Sequence, residues 1–289
     1  MTTTLQGKVV LITGPARGIG AAVARRLAER GARLALVGLE PERLRALHAA
    51  LGPGHFWRVC DVVDHEALQR AVDDAARELG GIDVVLANAG IASFGTVAVT
   101  PAHALKRVID VNVSGVLHTA AATLPYLRER RGYLLVVSSA AALAAAPGLA
   151  AYAASKSAVE QFANCLRLEV GGDGVSVGSA HPCWIDTDLV RDPREEMPSF
   201  DAMLRALPGP FGTVTSLDAC ADAIVEAIAR RRRKVFIPRS LAPLAAVRQL
   251  FMSPLSDWLV QRRARRLVAQ QEREVRAIGS SFGRHSTER

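Results

Sequence analysis

A tyrosine and a lysine lie four residues apart in the segment Tyr152-Ala-Ala-Ser-Lys156. On a helix, residues at this spacing lie on the same face. An ammonium group close to a phenol favours the phenolate, so Lys156 is expected to lower the pKa of Tyr152 from its ordinary value of about 10. Such a phenol can pass a proton to or from an alcohol oxygen as general acid or base. Because Y-x-x-x-K is common by chance, the pair indicates catalysis only together with other residues.

Two polar residues upstream could complete a proton-transfer site. Ser139 lies thirteen residues before Tyr152, and Asn112 lies twenty-seven residues before Ser139. A serine hydroxyl brought alongside the phenol could hold the alcohol oxygen, and the asparagine could order a water molecule behind Lys156. Together the four residues indicate acid–base chemistry on an alcohol or carbonyl oxygen.

A glycine-rich turn near the N-terminus joins an apolar strand to a helix. Residues 8–13 are rich in β-branched side chains, which predicts a buried parallel strand, and a helical stretch covers residues 21–30. The turn at residues 13–20 reads T-G-P-A-R-G-I-G. Such glycines let a cofactor pyrophosphate approach the backbone and the positive end of the helix. The spacing differs from the standard G-x-G-x-x-G, so a simple tight turn is the alternative.

Strand and helix patterns alternate through most of the chain. With 289 residues, 49% of them hydrophobic, the chain is long enough for one large α/β domain. The alternation predicts a doubly wound parallel sheet with helices on both faces. The predicted domain covers residues 1–238, followed by a basic amphipathic helical extension over 239–278 and a disordered tail over 279–289. Seven strands are predicted, at residues 8–13, 33–38, 55–60, 82–87, 133–138, 175–181 and 234–238.

Five motifs in a fixed order show which family this sequence resembles. They are the glycine turn, Asp61-Val62, Asn88-Ala89-Gly90, the tetrad of polar residues described above, and the loop from Pro182 to Thr187. In these motifs the chain resembles the short-chain dehydrogenase/reductase family, in its shorter single-domain branch, over residues 8–238. The resemblance implies a Rossmann-like fold and an NAD(P)-dependent oxidoreductase that interconverts a secondary alcohol and a ketone by hydride transfer.

The resemblance also implies a role for each member of the tetrad. Tyr152 would protonate the carbonyl oxygen, and Ser139 would hydrogen-bond that oxygen. Lys156 would lower the pKa of Tyr152 and bind the ribose hydroxyls, while Asn112 would position a water molecule that links Lys156 to solvent. Ser138 is the immediate alternative to Ser139, but the thirteen-residue spacing favours Ser139. Asn112 could equally cap or kink a long helix, which is compatible with the family role.

The same resemblance places the cofactor, NAD(P)(H), against the loops that follow the strands. One departure from the family pattern is Cys183, where the family usually has glycine after the proline, and this leaves the local loop shape open. The residues expected to contact the cofactor are Gly14, Arg17, Gly18, Ile19, Asp61, Val62, Asn88, Ala89, Gly90, Tyr152, Lys156, Pro182, Ile185 and Thr187.

The choice between NAD and NADP depends on the end of the second strand. An acidic residue there would bind the ribose 2′-hydroxyl and select NAD, but this chain has Gly38. Leu39 stands where NADP enzymes of the family often have arginine. Arg17 could meet a 2′-phosphate, whereas Glu40 would repel one if it pointed inward. Arg17 shifts the expectation slightly toward NADP(H).

The segment over residues 188–213 is expected to cover the substrate cleft. It is rich in apolar residues and interrupted by prolines, and Ile91, Phe94, Leu143 and Leu149 should line the opposite side. Such a lining suits a small apolar ketone or alcohol, for example a lipid-, terpenoid- or steroid-like molecule. The alternative is that these side chains only pack the covering segment in place. The apolar residues of the segment are Leu189, Met197, Phe200, Met203, Leu204, Leu207 and Phe211.

The cysteines and the N-terminal sequence indicate the cellular compartment of the protein. The four cysteines are scattered without C-x-x-C spacing or a histidine cluster, so no metal site is predicted. No signal peptide and no apolar run of about 18 residues is found, so a cytoplasmic protein with reduced thiols is expected. From the family, a homodimer or homotetramer is expected, with long helices around residues 99–126 and 151–170 as the interface.

The net charge of +8 is concentrated at the C-terminal end, where residues 239–289 carry ten arginines and four acids. The extension could be a helix packed over the substrate cleft or at a subunit interface. It could instead contact an anionic membrane surface peripherally, since basic and apolar residues with tryptophan suit an interfacial helix. Nucleic-acid binding is the least favoured, because no recognition module accompanies the arginines. A scaffold that binds the cofactor with little turnover, and a membrane or partner through its tail, is the alternative function.

Overall fold

The central feature of the molecule is a seven-stranded parallel sheet with the strand order β3-β2-β1-β4-β5-β6-β9. The computed structural model describes residues 4–207 and 209–284. Each of the seven predicted strands is present within two residues of its predicted bounds, so the predicted fold class is confirmed. The strands are β1 (Val9–Thr13), β2 (Arg33–Gly38), β3 (Phe56–Val59), β4 (Val84–Ala87), β5 (Tyr133–Val137), β6 (Ser176–Pro182) and β9 (Lys234–Ile237).

Helices cover both faces of the sheet. The strands read as continuous apolar runs because they are buried on two sides, and all five residues of β1 are buried. Leu27 and Ile228 lie in the core on one face, and Leu68 and Val159 lie in the core on the other. The main helices are α1 (Gly18–Glu29), α2 (Pro41–Leu51), α3 (His65–Leu79), α4 (Ala102–Ile109), α5 (Gly115–Arg130), α6 (Ala150–Glu169) and α9 (Leu217–Ala229).

The strand order places the functional loops at one edge. From β1 the chain proceeds outward through β2 and β3, and then returns to pair β4 with the other side of β1. At such a reversal the loops after the two central strands diverge and leave a crevice outside their carboxyl ends. The glycine turn after β1 and the N-A-G element after β4 therefore face the same crevice.

The predicted long helix over residues 99–126 is interrupted. It consists of α4 and α5 joined by a single π-helical turn, Asp110–Ser114, which contains Asn112. Such turns are rare and occur frequently at functional sites. The kink that the sequence predicts at Asn112 thus takes the form of a π turn.

A covering layer follows β6. It contains α7 (Asp188–Glu196) and α8 (Pro198–Ala206), together with a small parallel sheet of β7 (Trp184–Ile185) and β8 (Val214–Thr215). Thr187 stands immediately before α7, and a short 3-10 turn, Gly209–Gly212, leads into β8.

The C-terminal extension is helical, with α10 (Leu241–Ala246), α11 (Arg248–Phe251) and the long α12 (Pro254–Ile278). Within the described residues, none of the helices is long and apolar enough to span a membrane. Arg248 and, from β9, Lys234 both form ion pairs with Glu160, a carboxylate of α6 that is only 4% exposed.

The prediction of a disordered tail differs from the structure over residues 279–284. Ser281 and Phe282 are buried, and the carbonyl of Ser281 accepts a hydrogen bond of 2.7 Å from the amide of Phe94. Burial of the apolar surface of the Phe282 ring stabilises this segment in its position. Residues 285–289 lie outside the described part of the chain.

Candidate active site

The tyrosine and serine of the tetrad meet where β5 ends and α6 begins. Tyr152 lies in the first turn of α6, and Ser139 is the second residue after β5. The Ser139 hydroxyl lies close enough to the phenol to lower the pKa of Tyr152. The hydroxyl of Ser138 points elsewhere, donating to the carbonyl of Lys156 at 2.8 Å. The geometry therefore places Ser139, as the spacing predicts, and not Ser138, beside the phenol.

The electrostatics of the tyrosine differ from the sequence expectation. Burial raises the pKa of Tyr152, and the hydrogen bond with Ser139 offsets part of that rise. Lys156 lies on the same helix face, with its ammonium 5.7 Å from the centre of the phenol ring. Burial lowers the pKa of Lys156 to about 8. The pKa of Tyr152 is thus shifted in the direction opposite to the sequence expectation, because desolvation of the phenol is the largest cause of the shift.

Lys156 and Asn112 are fixed by buried hydrogen bonds. The Lys156 ammonium donates to the carbonyl of Val137 at 2.9 Å. The Asn112 amide donates to the carbonyl of Ile91 and to the Ser155 hydroxyl, each at 2.9 Å, and its oxygen accepts from the Ile91 amide at 2.8 Å. Asn112 therefore connects the loop after β4 to α6 through hydrogen bonds.

The glycine turn leaves no room for side chains. Gly14 has a φ of +64° and Gly18 a φ of +52°, the left-handed region that favours glycine. A Cβ at Gly14 would lie 2.8 Å from the Cα of Ala89, and one at Gly90 would lie 3.3 Å from the Lys156 ammonium. The backbone is thus bare where a pyrophosphate and a ribose need close approach, and the residues present fit a nicotinamide dinucleotide.

All the residues predicted to contact the cofactor line one continuous cleft. It runs from the end of β2, across the glycine turn and the N-A-G element, to Tyr152 and Lys156 and on to α7. The predicted contacts that line it are Gly14, Arg17, Gly18, Ile19, Asp61, Val62, Asn88, Ala89, Gly90, Tyr152, Lys156, Pro182, Ile185 and Thr187.

Charged groups surround the end of the cleft next to β2. Arg17 pairs with Glu40 at 3.4 Å and with Asp188 at 3.7 Å. Arg43 reaches the same carboxylate of Asp188 at 4.0 Å. Leu39, between Gly38 and Glu40, is 44% exposed. Two guanidinium groups and two carboxylates therefore stand at the place where an adenosine ribose would bind.

The opposite end of the cleft is apolar, but only part of the predicted lining faces it. Ile91 and Leu189 line the cleft beside Tyr152. Phe94 and Phe200 instead pack edge to face, with ring centres 5.0 Å apart, in a buried cluster that also contains Leu149. For these three residues the alternative interpretation holds, since they fix the covering layer in place.

Cys183 lies between the catalytic residues and the covering layer. Its amide donates to the carbonyl of Ile237 at 2.8 Å, which holds the loop against β9. Burial raises the pKa of the thiol to about 11, so the side chain is neutral near pH 7. It lines the cleft as a small apolar group.

Several residues of the site are not indicated by the sequence motifs. Ser155 supports Asn112, and Arg107 binds the Asp61 carboxylate at 3.0 Å. Val275 and Phe282 of the extension pack into the apolar clusters beside Tyr152. Ser155 could be found from its place inside the Y-x-x-x-K motif, whereas the other three lie far from any motif.

Comparisons with known proteins agree with this geometry. The family model described as short chain dehydrogenase matches residues 8–198. The chain is 35% identical over 243 residues to 11-beta-hydroxysteroid dehydrogenase 1A of Arabidopsis thaliana, covering 81% of this chain and 69% of that protein. It is 34% identical over 222 residues to meso-2,3-butanediol dehydrogenase of Serratia marcescens, covering 75% of this chain and 88% of that protein.

A further match covers only part of its protein. The chain is 38% identical over 190 residues to glycine betaine reductase ATRR of Emericella nidulans, and the match spans 64% of this chain but 15% of that protein. Among solved structures, a short chain dehydrogenase from Mycobacterium paratuberculosis bound to NAD superposes with a TM-score of 0.71 at 28% identity. That superposition covers 81% of this chain and 97% of the other.

Proposed function

Because this chain belongs to the short-chain dehydrogenase/reductase family and is a nicotinamide-dependent oxidoreductase acting on CH–OH groups, we propose that it interconverts an apolar ketone and its secondary alcohol. The observation that carries this proposal is the Tyr152 phenol with the Ser139 hydroxyl beside it, next to a cleft that the apolar side chains of Ile91 and Leu189 line. When bound, the nicotinamide supplies or accepts the hydride.

In this proposal Tyr152 handles the proton of the reaction. With its pKa raised by burial, the phenol is protonated at neutral pH and can donate to a carbonyl oxygen during reduction. In the oxidative direction the same oxygen must accept a proton. Ser139 would hold the substrate oxygen close to the phenol, since its hydroxyl lies beside Tyr152.

Lys156 and Asn112 support this pair. The Lys156 ammonium lies beside the bare backbone of Gly90, where it can bind ribose hydroxyls. A Cβ at Gly90 would also lie 3.2 Å from the amide oxygen of Asn112, so Lys156 and Asn112 face the same small space. A water molecule held there would receive protons from Lys156 and pass them toward solvent, which is the role proposed for Asn112.

NADP(H) is the proposed cofactor. The end of β2 has glycine instead of an acid at residue 38, and the nearby Glu40 carboxylate is paired with Arg17. Arg17 and Arg43 lie close enough to share the carboxylate of Asp188 and could turn toward a 2′-phosphate. Titration with NADPH and NADH, followed by nicotinamide fluorescence, tests this directly. Tighter binding of NADH than of NADPH would refute the preference.

The substrate is proposed to be a small ketone or alcohol with an apolar body. Of the side chains that line the cleft next to Tyr152, Ile91, Leu189 and Val190 are aliphatic, and Cys183 is a neutral thiol. The assignment is tested by comparing the turnover of apolar ketones with the turnover of charged and phosphorylated ketones, measured by the absorbance at 340 nm. Preference for a charged substrate would overturn it. Binding of cofactor without turnover of any substrate would favour the scaffold alternative.

A homo-oligomer is proposed, with α5 and α6 at the interface. Leu168 of α6 is 76% exposed, and Leu117 of α5 is also exposed. Large apolar side chains exposed on neighbouring helices are typical of an interaction surface. Light scattering coupled to size exclusion measures the mass, and a monomer at micromolar concentration would contradict the proposal.

The protein is proposed to be cytoplasmic. The outer face of its extension is proposed to contact an anionic membrane surface peripherally. Leu250, Leu255 and Trp258 are more than half exposed there, and Arg262 lies over the Trp258 ring. Apolar side chains next to arginines match the chemistry of an anionic bilayer surface. Co-sedimentation with phosphatidylserine vesicles, and not with phosphatidylcholine vesicles, is the expected result. Equal recovery with both would refute it.

A further inference from the structure

The last described segment of the chain packs beside the proposed substrate side of the cleft. Residues 271–284, which we call the strap, comprise the last two turns of α12 and the segment that follows. We propose that the strap is a wall of the substrate pocket and that Phe282 is a specificity-determining residue that limits the size of the substrate. This inference rests on the proposed function and extends it to the shape of the substrate.

On one side the strap is attached to the loop after β4 and to the loop before α6. The amide of Phe94 donates to the carbonyl of Ser281 at 2.7 Å, and the hydroxyl of Thr96 donates to Glu272 at 2.8 Å. Gln271 is buried with its amide group directly against Gly148, where a Cβ would lie 2.3 Å away. These contacts hold the strap along one rim of the pocket.

On the other side the strap is attached to the covering layer. The Glu274 carboxylate accepts a hydrogen bond of 3.2 Å from the amide of Ser199, in the first turn of α8. Arg284 forms ion pairs with Glu195, at 2.9 Å, and with Glu196, both at the end of α7. The strap therefore joins both rims of the pocket, and it does so within one chain.

Between these attachments the strap contributes apolar side chains to the buried clusters beside the site. Val275 is buried in the cluster that contains Phe94 and Phe200. Phe282 is 6% exposed and lies in a buried cluster with Ala104 and Val108, against which Ile91 and Tyr152 pack. A ring fixed in a cluster next to the proposed acid–base residue limits how far a substituent on the carbonyl carbon can extend in that direction.

Substitution of Phe282 tests this assignment. Phe282→Ala should raise kcat/KM for two-ring ketones such as 2-decalone relative to cyclohexanone by about 10-fold, because removal of bulk from an apolar pocket changes discrimination by at least that factor. Phe282→Leu keeps most of the packing and should give a smaller change in the same direction. Trp258→Ala removes an exposed aromatic of the same extension and should leave the ratio unchanged. A ratio within twofold of the wild type in both Phe282 variants would overturn the inference.

A second measurement does not depend on turnover. Cys183 lines the cleft beside Tyr152, whereas Cys165 is exposed on the far part of α6 and serves as an internal reference. Peptide-resolved alkylation with N-phenylmaleimide should modify Cys183 severalfold faster in Phe282→Ala than in the wild type, at an unchanged rate for Cys165. If the wild type reduces no ketone but this acceleration is found, the proposed substrate class fails and the strap remains a wall of the pocket. An unchanged rate of Cys183 alkylation would refute the assignment of the strap as a wall of the pocket.

Discussion

Replacing Tyr152 with phenylalanine should abolish turnover while leaving the fold and cofactor binding intact. The substitution removes one hydroxyl and keeps the ring that packs against Ile91 and Phe282. The Ser139 hydroxyl retains the amide of Ala141 as a donor at 3.1 Å. No buried charge is created and no cavity of side-chain size is left, so the free energy of unfolding should change by about 1 kcal/mol at most.

The size of the activity loss follows from the role of the hydroxyl. General acid–base catalysis contributes about 10²- to 10⁴-fold, which corresponds to roughly 3–5 kcal/mol of transition-state stabilisation. In this site no other described side chain can take over, because the Ser138 hydroxyl is engaged with α6 and the Lys156 ammonium donates to Val137. We therefore expect kcat to fall by at least about 100-fold in either direction.

The assay is steady-state oxidation of NADPH with a ketone that the wild type accepts, together with cofactor titration by fluorescence. Tyr133→Phe is the matched control, since Tyr133 is also buried, and its hydroxyl donates to the carbonyl of Arg232 far from the cleft. The control should lose some thermal stability but keep kcat. A Tyr152→Phe protein that retains more than a tenth of the wild-type kcat would refute the assignment of the acid–base residue.

Three further predictions concern the same site, and a fourth concerns the proposed subunit interface. Ser139→Ala should lower kcat by about 10-fold or more, whereas Ser138→Ala should act mainly on thermal stability; a comparable kcat loss in both would contradict the geometry. Since burial raises the pKa of Tyr152, alcohol oxidation should still be accelerating as pH rises from 7 to 9, and a plateau below pH 7 in a pH–rate profile would be inconsistent with that. Arg17→Ala should weaken NADPH binding about 10-fold and NADH binding much less, and equal losses would exclude a contact with the 2′-phosphate. Leu168→Glu should shift the mass measured by light scattering toward the monomer, and an unchanged mass would place the interface elsewhere.

Much of the sheet and the cofactor cleft could be predicted because their determinants are local. A run such as residues 9–13 is buried on both sides and therefore reads as apolar throughout, and a glycine such as Gly14 is required by a backbone contact that fixes its position in the motif. Ser139 and Tyr152, thirteen residues apart in the sequence, likewise lie close enough in the structure for the Ser139 hydroxyl to lower the pKa of the phenol.

The remainder depends on contacts between distant parts of the chain. Phe282 belongs to a cluster that packs against Tyr152, 130 residues away in the chain, and no local pattern distinguishes it from an exposed aromatic in a polar tail. The direction of the Tyr152 pKa shift likewise depends on how deeply the phenol and Lys156 are buried, which spacing along a helix does not determine. Similarly, an apolar residue such as Phe94 is compatible both with lining the substrate cleft and with packing against the covering layer. Only its contact with Phe200 shows that it packs against the covering layer.

The ion pairs of Glu160 connect the stability of the extension to that of the catalytic helix. The buried Glu160 carboxylate is compensated by both Lys234 and Arg248, so loss of either partner would leave its charge less compensated and lower the stability of this region. Opening of α11 would therefore leave a partly unpaired charge in the middle of α6, one turn after Lys156. The amide groups of α6 and β9 and the side-chain contacts of α11 are consequently expected to belong to one cooperative unit in hydrogen exchange, so that the extension does not fray independently of the helix that carries Tyr152.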